Sequence, residues 1–236
     1  MSDTLEHHLT RQIEKSSDFF WHRIRWMLAS RWFPSKKDFQ IVDIGAGAGL
    51  AGRYLKRDFP GARYFFVEPI ASLADKLAAD HGPASRLAPD ADFNSADAVL
   101  LLDVVEHQQD DRAFIEQTVR RMAPGAALVV TVPAFQMLWS TWDEKLGHYR
   151  RYSKRALLDL FDGLPVSVEH STYMFPEMFP LGLWRRLSPS DGAEFPDLPA
   201  KLNRFLTAFF RFTSFFWPAI PFGTSVLAAV RKKNVG

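Results

Sequence analysis

A glycine-rich segment between an apolar run and a helix-like segment constrains this chain most. The apolar run ends at Asp43, and glycines follow at alternate positions, Gly45, Gly47 and Gly49, before a helix-like stretch at residues 50–58. Glycine adopts backbone angles that a Cβ forbids, and it lets a ligand lie against the main chain. Strand, glycine turn and helix in this order predict an α/β fold that binds a nucleotide-type ligand at the turn.

The glycines fit two ligand patterns. Residues 47–52 match G-x-G-x-x-G, the dinucleotide fingerprint, and Glu68 stands about where that fingerprint wants an acid. Residues 43–49 instead resemble the first motif of class I methyltransferases that use S-adenosylmethionine. Asp43 favours this second pattern, because a carboxylate repels a pyrophosphate but suits the ammonium of an amino-acid moiety. A turn that only links a strand to a helix is the third alternative.

Strand-like and helix-like segments alternate along the chain. Apolar runs predict strands at residues 40–44, 63–67, 98–102, 127–132, 166–171 and 225–230, with a weak short strand near residues 85–87. Apolar side chains at helical spacing predict helices at residues 10–33, 50–58, 70–79, 110–122 and 153–161. This order indicates right-handed βαβ units and a mostly parallel sheet.

Three acids stand where core packing does not need them. Asp43, Glu68 and Asp103 each fall at the C-terminal end of a predicted strand. Open α/β sheets bind ligands at that edge, and an unpaired buried carboxylate is costly. We therefore expect the three acids to line a ligand site.

The motifs of residues 10–170 resemble those of class I S-adenosylmethionine-dependent methyltransferases. In chain order they are the turn of residues 43–49 and the segments 66–69, 103–107, 124–125 and 131–133. The resemblance implies an α/β, Rossmann-like sheet of seven strands, mostly parallel, with an antiparallel C-terminal hairpin. That hairpin would pair residues 166–171 with residues 225–230.

The same resemblance implies one domain over residues 1–236 and a simple layout. The expected parts are an N-terminal helix (10–34), a cofactor-binding core (39–171), an accessory cap (172–222) and a last strand with a basic tail (223–236). The roughly 50 residues between the last two strands are too many for a simple loop. We expect them to form a helical, aromatic cap over the site.

A narrower resemblance concerns the segment after the fifth predicted strand. Residues 138–152 are similar to a segment of bacterial methyltransferases associated with surface-polysaccharide and glycolipid genes, and residues 171–232 also look like that subgroup. Members of the subgroup usually carry a histidine where this chain has Asp18. Any role of that histidine therefore does not transfer to this chain.

The resemblance implies a set of cofactor contacts. Asp43 would hold the ammonium of S-adenosylmethionine, and Glu68 would accept hydrogen bonds from both ribose hydroxyls. A surface acid in a strand-to-helix turn is the alternative for Glu68. The full expected set is Asp43, Gly45, Ala46, Gly47, Gly49, Glu68, Pro69, Asp103, Val104 and His107.

The acceptor side is expected to depend on the segment around His148. Methyl transfer to a hydroxyl needs alignment and can need a base, and an imidazole titrates near neutral pH. The alternative is that His148 and its arginine neighbours only order a lid. The residues expected to contact the acceptor are Trp21, Arg25, Tyr149, Arg150, Arg151 and Tyr152.

Composition suggests an anionic partner surface. Residues 201–236 hold six basic residues and no acid, and residues 201–217 form a predicted amphipathic helix rich in phenylalanine. That helix would cover the site, lie on a membrane surface, or pack in the core. The uncharged residues 212–230 contain prolines and a glycine, so we do not expect a membrane span.

Several function classes are disfavoured. The chain has no cysteine, and no carboxylate–histidine group has ligand spacing, so we expect no metal site. No nucleic-acid-binding module accompanies the basic residues. The polar N-terminus shows no signal-peptide pattern, which favours a cytoplasmic location, peripheral at the inner membrane face if the basic, aromatic helix meets lipid.

Three functions follow for testing. The leading hypothesis is O-methylation of a glycan, a glycolipid or another small hydroxylated or carboxylated acceptor. A nicotinamide-dependent oxidoreductase would use the glycine register of residues 47–52. A non-catalytic protein that keeps the S-adenosylmethionine site is the third possibility.

Overall fold

A computed structural model describes residues 19–187 and 198–234. The strands are β1 Gln40–Ile44, β2 Arg63–Val67, β3 Ala98–Leu102, β4 Ala127–Pro133, β5 Val166–Met174 and β6 Ser225–Lys232. The α-helices are α1 Phe20–Ala29, α2 Leu50–Asp58, α3 Ala71–His81, α4 Asp111–Arg121, α5 Thr141–Leu146, α6 Lys154–Asp159, α7 Phe179–Leu187 and α8 Ala200–Thr213.

The strands form one mixed sheet in the order β2-β1-β3-β4-β6-β5. The first four in this order run parallel, and β6 lies antiparallel between β4 and β5. In the hairpin, Val168 pairs with Val230 and Met174 pairs with Ser225. The Rossmann-like α/β fold and the antiparallel C-terminal hairpin are therefore confirmed.

The prediction of seven strands is not confirmed, because the sheet of the described residues has six. The weak run at residues 85–87 does lie beside β2, where Arg86 forms an isolated parallel bridge with Phe66 and the Leu87 N–H donates to the Phe66 carbonyl. A 3₁₀ turn at Pro83–Ser85 precedes the bridge, and Pro89 follows it. Proline has no N–H to donate to a strand ladder, and the pairing stops after one bridge.

Helices cover both faces of the sheet. One face packs under α4 and α6 through residues such as Val99, Ile115 and Leu157. The other packs under α1, α2, α3 and α8 through residues such as Ile24 and Leu100. Strands buried on both faces need continuous apolar runs, which is why β3 and β4 were visible in the sequence.

The N-terminal helix and the cap differ in detail from expectation. Of the predicted helix at residues 10–34, the described part is α1 followed by a 3₁₀ turn at Ser30–Trp32, and residues 10–18 lie outside the described chain. Strand β5 continues to Met174, so residues 172–174 belong to the sheet and not to the cap. The helices α5 and α7 were not predicted.

Aromatic stacking fixes α1 against the cap. Phe20 of α1 stacks on Phe210 of α8 with ring centroids 5.1 Å apart, and Trp21 stacks on Phe175 at 3.8 Å. These contacts hold α1 across the end of the sheet where the parallel strands terminate. In the described part of the chain, no helix is both long enough and apolar enough to cross a membrane.

Candidate methyl-transfer site

A cavity of about 910 Å³ opens at the carboxyl ends of the parallel strands. Its walls come from the glycine turn, the strand-end acids, helix α1, the segment between β4 and α6, and the cap. This is the edge at which open α/β sheets bind ligands. One cavity therefore collects residues from five parts of the chain.

The glycine turn forms one wall of the cavity because its backbone is left-handed. Gly45 and Gly47 have φ values of 70° and 52°, which side chains rarely allow. A Cβ on Gly45 would come within 2.7 Å of a Val104 methyl group. Gly45, Ala46 and Gly47, all predicted to contact the cofactor, line the cavity.

Gly49 has a different task from the one predicted. It also has a positive φ, 70°, but it does not line the cavity, and a Cβ there would meet Leu77 of α3 at 2.4 Å. A Cβ on Gly52 would likewise lie 2.7 Å from ring atoms of His81 and Tyr64. Gly49 is the second glycine of the G-x-G-x-x-G match, at which the backbone of a dinucleotide site approaches the pyrophosphate, and its place outside the cavity lining disfavours a dinucleotide.

Asp43 is buried at the end of β1 and lines the cavity. The Tyr64 hydroxyl donates a 2.7 Å hydrogen bond to its Oδ2. Burial raises the pKa of Asp43 to about 7, the Tyr64 hydrogen bond acts in the opposite direction, and nearby Glu68 and Arg25 add opposing effects. A cationic ligand group would stabilise the ionised carboxylate here.

Glu68 joins the glycine turn to the end of β2. Its Oε2 accepts the Gly47 N–H at 2.7 Å, and its Oε1 accepts the Ile70 N–H at 2.8 Å. Burial raises the pKa of Glu68, and these two backbone hydrogen bonds partly offset the effect. Each carboxylate oxygen keeps a second lone pair, so both can still accept a ribose hydroxyl.

Asp103 follows β3 in a strained backbone conformation. Its φ is 61°, uncommon for a residue with a side chain. The Thr131 hydroxyl donates to its Oδ1 at 2.9 Å, and the Arg25 guanidinium pairs with its Oδ2. These contacts turn the carboxylate toward the cavity wall shared with α1.

Arg25 of α1 lies beside the acids at the strand ends. Burial lowers the pKa of Arg25, while Tyr54, Glu106 and Asp43 act to raise it. Arg25 and Trp21, both predicted to contact the acceptor, line the cavity. The ion pair with Asp103, however, puts Arg25 beside a predicted cofactor residue, whereas the sequence suggested an acceptor contact.

Asp143, Arg151 and His148 form a tight group on the other side of the cavity. Asp143 is fully buried, and its Oδ1 lies 2.8 Å from His148 Nδ1 and 2.7 Å from Arg151 Nε. Burial would raise the pKa of Asp143, but the hydrogen bonds from His148 and Arg151 lower it below its ordinary value. A carboxylate in this position orients the imidazole and leaves Nε2 for another partner.

The local fold explains this group. Helix α5 begins with a capping box in which Ser140 and Asp143 exchange hydrogen bonds. It ends at Gly147, whose φ of 74° reverses the chain, and the His148 N–H then donates to the Asp143 carbonyl at 2.9 Å. The two side chains therefore meet although five residues separate them.

Glu106 and His107 lie next to His148. The His107 and His148 rings meet edge to face with centroids 4.7 Å apart. Burial lowers the pKa of His107 to about 4, with a further lowering from His148, so the ring is neutral. Glu106 is fully buried, and burial raises its pKa to about 8. All three residues line the cavity.

Two predicted acceptor residues lie off the cavity lining. Tyr152 is buried, and its hydroxyl donates to Asp111 at 2.7 Å. Arg150 pairs with the same Asp111 at 3.0 Å and donates to the Gln109 carbonyl. Both residues thus fasten the segment to α4, and their predicted role as acceptor contacts is corrected accordingly.

The other two predicted residues of this segment do line the cavity. Tyr149 is exposed there. The Arg151 guanidinium donates two hydrogen bonds to the Asp143 carboxylate and one to the Ala134 carbonyl. It therefore positions Asp143 and is not a free clamp for an acceptor carboxylate or phosphate.

Sequence reasoning missed three site residues. Tyr64 alternates along β2 like any strand residue, so its contact with Asp43 has no sequence signal. Asp143 precedes His148 by five residues, and the Ser140–Asp143 capping box was a usable hint. Glu106 stood in a recognised motif, but its closeness to His148 exists only in the fold, so the expectation of no metal-ligand group overlooked it.

Comparison with known families decides the identity of the domain. Residues 6–165 match the model of a family described as a methyltransferase domain. The chain belongs to this methyltransferase family. The predicted enzyme class, an S-adenosylmethionine-dependent methyltransferase, and its cofactor are confirmed at the level of the family.

Relatives agree with the family but differ from this chain in extent. A probable tocopherol O-methyltransferase of rice (Oryza sativa subsp. japonica) is 30% identical over 108 residues, which are 40% of this chain and 29% of that protein. The match thus spans less than a third of that curated relative's length.

Two solved structures share the fold of this methyltransferase. A chain from the complex of the Haloferax volcanii Trm112 methyltransferase activator aligns with a TM-score of 0.64 and 17% identity, over 98% of this chain and 99% of that one. Geranyl diphosphate C-methyltransferase of Streptomyces coelicolor aligns with a TM-score of 0.58 and 15% identity, over 89% and 76% of the two chains. That second structure contains S-adenosyl-L-homocysteine.

Asp43 predicts a pH dependence of cofactor binding. Because burial raises its pKa to about 7, Asp43 loses its charge as the pH falls below that value, and a bound ammonium loses its partner. We expect the affinity for S-adenosylhomocysteine to fall about tenfold from pH 8 to pH 6 by calorimetry. In Asp43→Asn the affinity should be low and nearly independent of pH. Equal pH profiles for the two proteins would contradict the role of Asp43.

Proposed function

We propose that this protein transfers the methyl group of S-adenosylmethionine to an oxygen of a hydroxylated acceptor. The observation that carries the proposal is that one cavity spans the ends of strands on both sides of β3, and we call the two parts of its lining the cofactor half and the acceptor half. Asp43, Glu68 and the glycine turn line one half, and His148 held by Asp143 lines the other. A methyl donor and an acceptor bound in these halves would share one enclosed space.

The cofactor half suits the donor. Asp43 offers a buried carboxylate to the ammonium, and Glu68 offers two fixed oxygens to the ribose hydroxyls. The backbone of the turn lies open at Gly45 and Gly47. A dinucleotide would bring its pyrophosphate against the Asp43 carboxylate, which disfavours the oxidoreductase alternative.

The acceptor half suits an oxygen nucleophile. Methyl transfer from a sulfonium is an in-line displacement, so the protein must align acceptor oxygen, methyl carbon and sulfur. The acceptor hydroxyl also loses its proton, and we propose that this step depends on His148. A non-catalytic cofactor-binding protein would have no use for a buried carboxylate that orients an imidazole in the acceptor half.

The acceptor half also has an extensive apolar wall. Trp142 lies under the Arg185 guanidinium, 4.5 Å from the ring centroid, and the cap adds further apolar surface. The apolar residues of this wall are Leu138, Leu146, Met178, Leu181, Leu198 and Leu206. We propose an acceptor that joins a hydroxylated head to an apolar part, as a glycolipid does, which is in keeping with the resemblance to the bacterial glycolipid-associated subgroup.

Helix α8 supports delivery of this acceptor from an anionic lipid surface. Phe205, Phe209 and Phe212 recur on one exposed stripe, and Arg204 and Arg211 flank it. Phe212 and Phe215 are 69% and 79% exposed, far more than core packing would leave. Exposed phenylalanines beside basic side chains are the composition of interfacial helices. Leu206 of the same helix lines the cavity, which links the lipid-facing stripe to the acceptor half.

His148→Ala should lower kcat by roughly 10²–10⁴-fold with little effect on S-adenosylhomocysteine affinity, because the missing group acts on the acceptor. The measurement is release of S-adenosylhomocysteine at saturating donor, with acceptors drawn from monosaccharides, hydroxy acids and lipid-linked sugars. His170→Ala is the matched control, since His170 lies on β5 against Trp32 and outside the cavity lining. Normal turnover in His148→Ala at saturating acceptor would refute the dependence on His148.

Vesicle co-sedimentation tests the lipid surface. The protein should bind vesicles of phosphatidylglycerol and phosphatidylcholine, bind pure phosphatidylcholine more weakly, and lose binding as salt rises. Replacing Phe212 and Phe215 by serine should remove most of the binding, because both side chains are the most exposed aromatics of this segment. Val168→Ser, at an equally apolar exposed position on the edge strand β5, should not. Equal sedimentation of all three proteins would exclude this surface.

A further inference from the structure

Glu106 is a buried acid in the cavity for which the proposed methyl transfer gives no role. Its side chain is fully buried, and neither carboxylate oxygen has a hydrogen-bond partner among the described residues. A buried carboxyl group without a partner costs folding free energy, so such groups are rare unless something binds them. Glu106 is among the residues that line the acceptor half of the cavity.

Two imidazoles complete a cluster with Glu106. One ligand atom from each of Glu106, His107 and His148 lies within 4.8 Å of the other two. Donor atoms around an ion at about 2.0–2.2 Å are roughly 3–3.5 Å apart, so side-chain shifts on the order of 1 Å would close the set. Two nitrogens and one carboxylate oxygen form a donor set typical of borderline transition metals.

The supports of the two imidazoles match those of metal-ligating histidines. Such histidines usually donate their second ring N–H to a carboxylate or to a backbone carbonyl. His148 has Asp143 at 2.8 Å from its Nδ1, and His107 hydrogen bonds to the backbone of Gly147. Each ring is therefore held through one nitrogen and keeps the other for a ligand.

We infer that Glu106, His107 and His148 bind one divalent transition-metal cation, of which Zn²⁺ is the representative, in the acceptor half of the cavity. Nitrogen donors and a single carboxylate disfavour Mg²⁺ and Ca²⁺, which prefer oxygen ligands. The ion would also remove the anomaly of Glu106, because its positive charge would compensate the buried carboxylate.

The role of the ion rests on the proposed methyl transfer. Three protein ligands leave at least one coordination position open, and a hydroxyl bound there loses its proton more readily. The alkoxide oxygen then attacks the methyl carbon, the C–O bond forms as the S–C bond breaks, and S-adenosylhomocysteine leaves. The proton passes to solvent. The dependence on His148 then arises from ligation, with Asp143 as the positioning residue.

Binding is tested without any acceptor. The full chain, stripped with a chelator and dialysed, is titrated with Zn²⁺ by calorimetry and with Co²⁺ by visible absorption, which reports nitrogen and oxygen coordination. We expect one saturable site and d–d bands in the Co²⁺ spectrum. Glu106→Gln and His107→Asn should each weaken binding at least tenfold, because each removes one ligand. Glu116→Gln and His170→Asn, outside the cavity lining, are the matched controls.

Folding of each variant is checked by far-ultraviolet circular dichroism, which should show the secondary structure of the wild-type chain. No saturable site in the wild-type chain would overturn the inference, as would a site that Glu106→Gln and His107→Asn leave unchanged. The proposed metal site and the proposed methyl transfer can be refuted independently. Methyl transfer that persists at full rate in chelator would refute the role of the ion and leave the proposed function standing. A Zn²⁺ site that depends on the cluster, in a protein that methylates no acceptor, would support the metal site and refute the proposed function.

Discussion

The crowding of four carboxyl groups, three of them buried, at one edge of the sheet is the constraint on which the site depends. Asp43, Glu68 and Glu106 are buried, Asp103 is half-buried, and all four line one cavity, so each needs partners that replace water when it is ionised. Asp43 has Tyr64, Glu68 has two backbone N–H groups, and Asp103 has Thr131 and Arg25. Glu106 has no such hydrogen-bond partner, and the cation proposed above would supply one by displacing its proton.

Arg25 connects the acids at this edge of the sheet to helix α1 through its ion pair with Asp103. It stands on α1, which the Trp21–Phe175 and Phe20–Phe210 stacks fasten to the cap. Helix α1, which lines the cavity, is thereby held by two cap residues that lie behind it, Phe175 and Phe210. Each aromatic pair contributes about 0.5–1.5 kcal/mol beyond its area burial to the packing of α1 against the cap. Donor and acceptor thus meet in a space shared by the core and the cap.

The sheet could be predicted from the sequence, whereas the acceptor half could be predicted only in part. Strands β1, β2 and β3 match their predicted bounds, because a strand buried on both faces needs an uninterrupted apolar run. The strand-end acids followed from the same pattern. The predicted seventh strand is reduced to a single bridge, and the cluster of Glu106 with His148 joins residues 42 positions apart, which no local pattern encodes. Gly49, Arg150 and Tyr152 were misassigned because packing residues and ligand residues look alike in a motif.

Calorimetry with S-adenosylhomocysteine and with NAD tests the central claim most directly, since the claim is that the acid edge is a methyl-donor site. The account predicts one saturable site for S-adenosylhomocysteine on the wild-type chain and no saturable binding of NAD. It also predicts that Glu68→Ala lowers the affinity, because Glu68 fixes the turn and accepts the ribose hydroxyls. Saturable NAD binding, or S-adenosylhomocysteine binding that is absent or indifferent to Glu68, would contradict it.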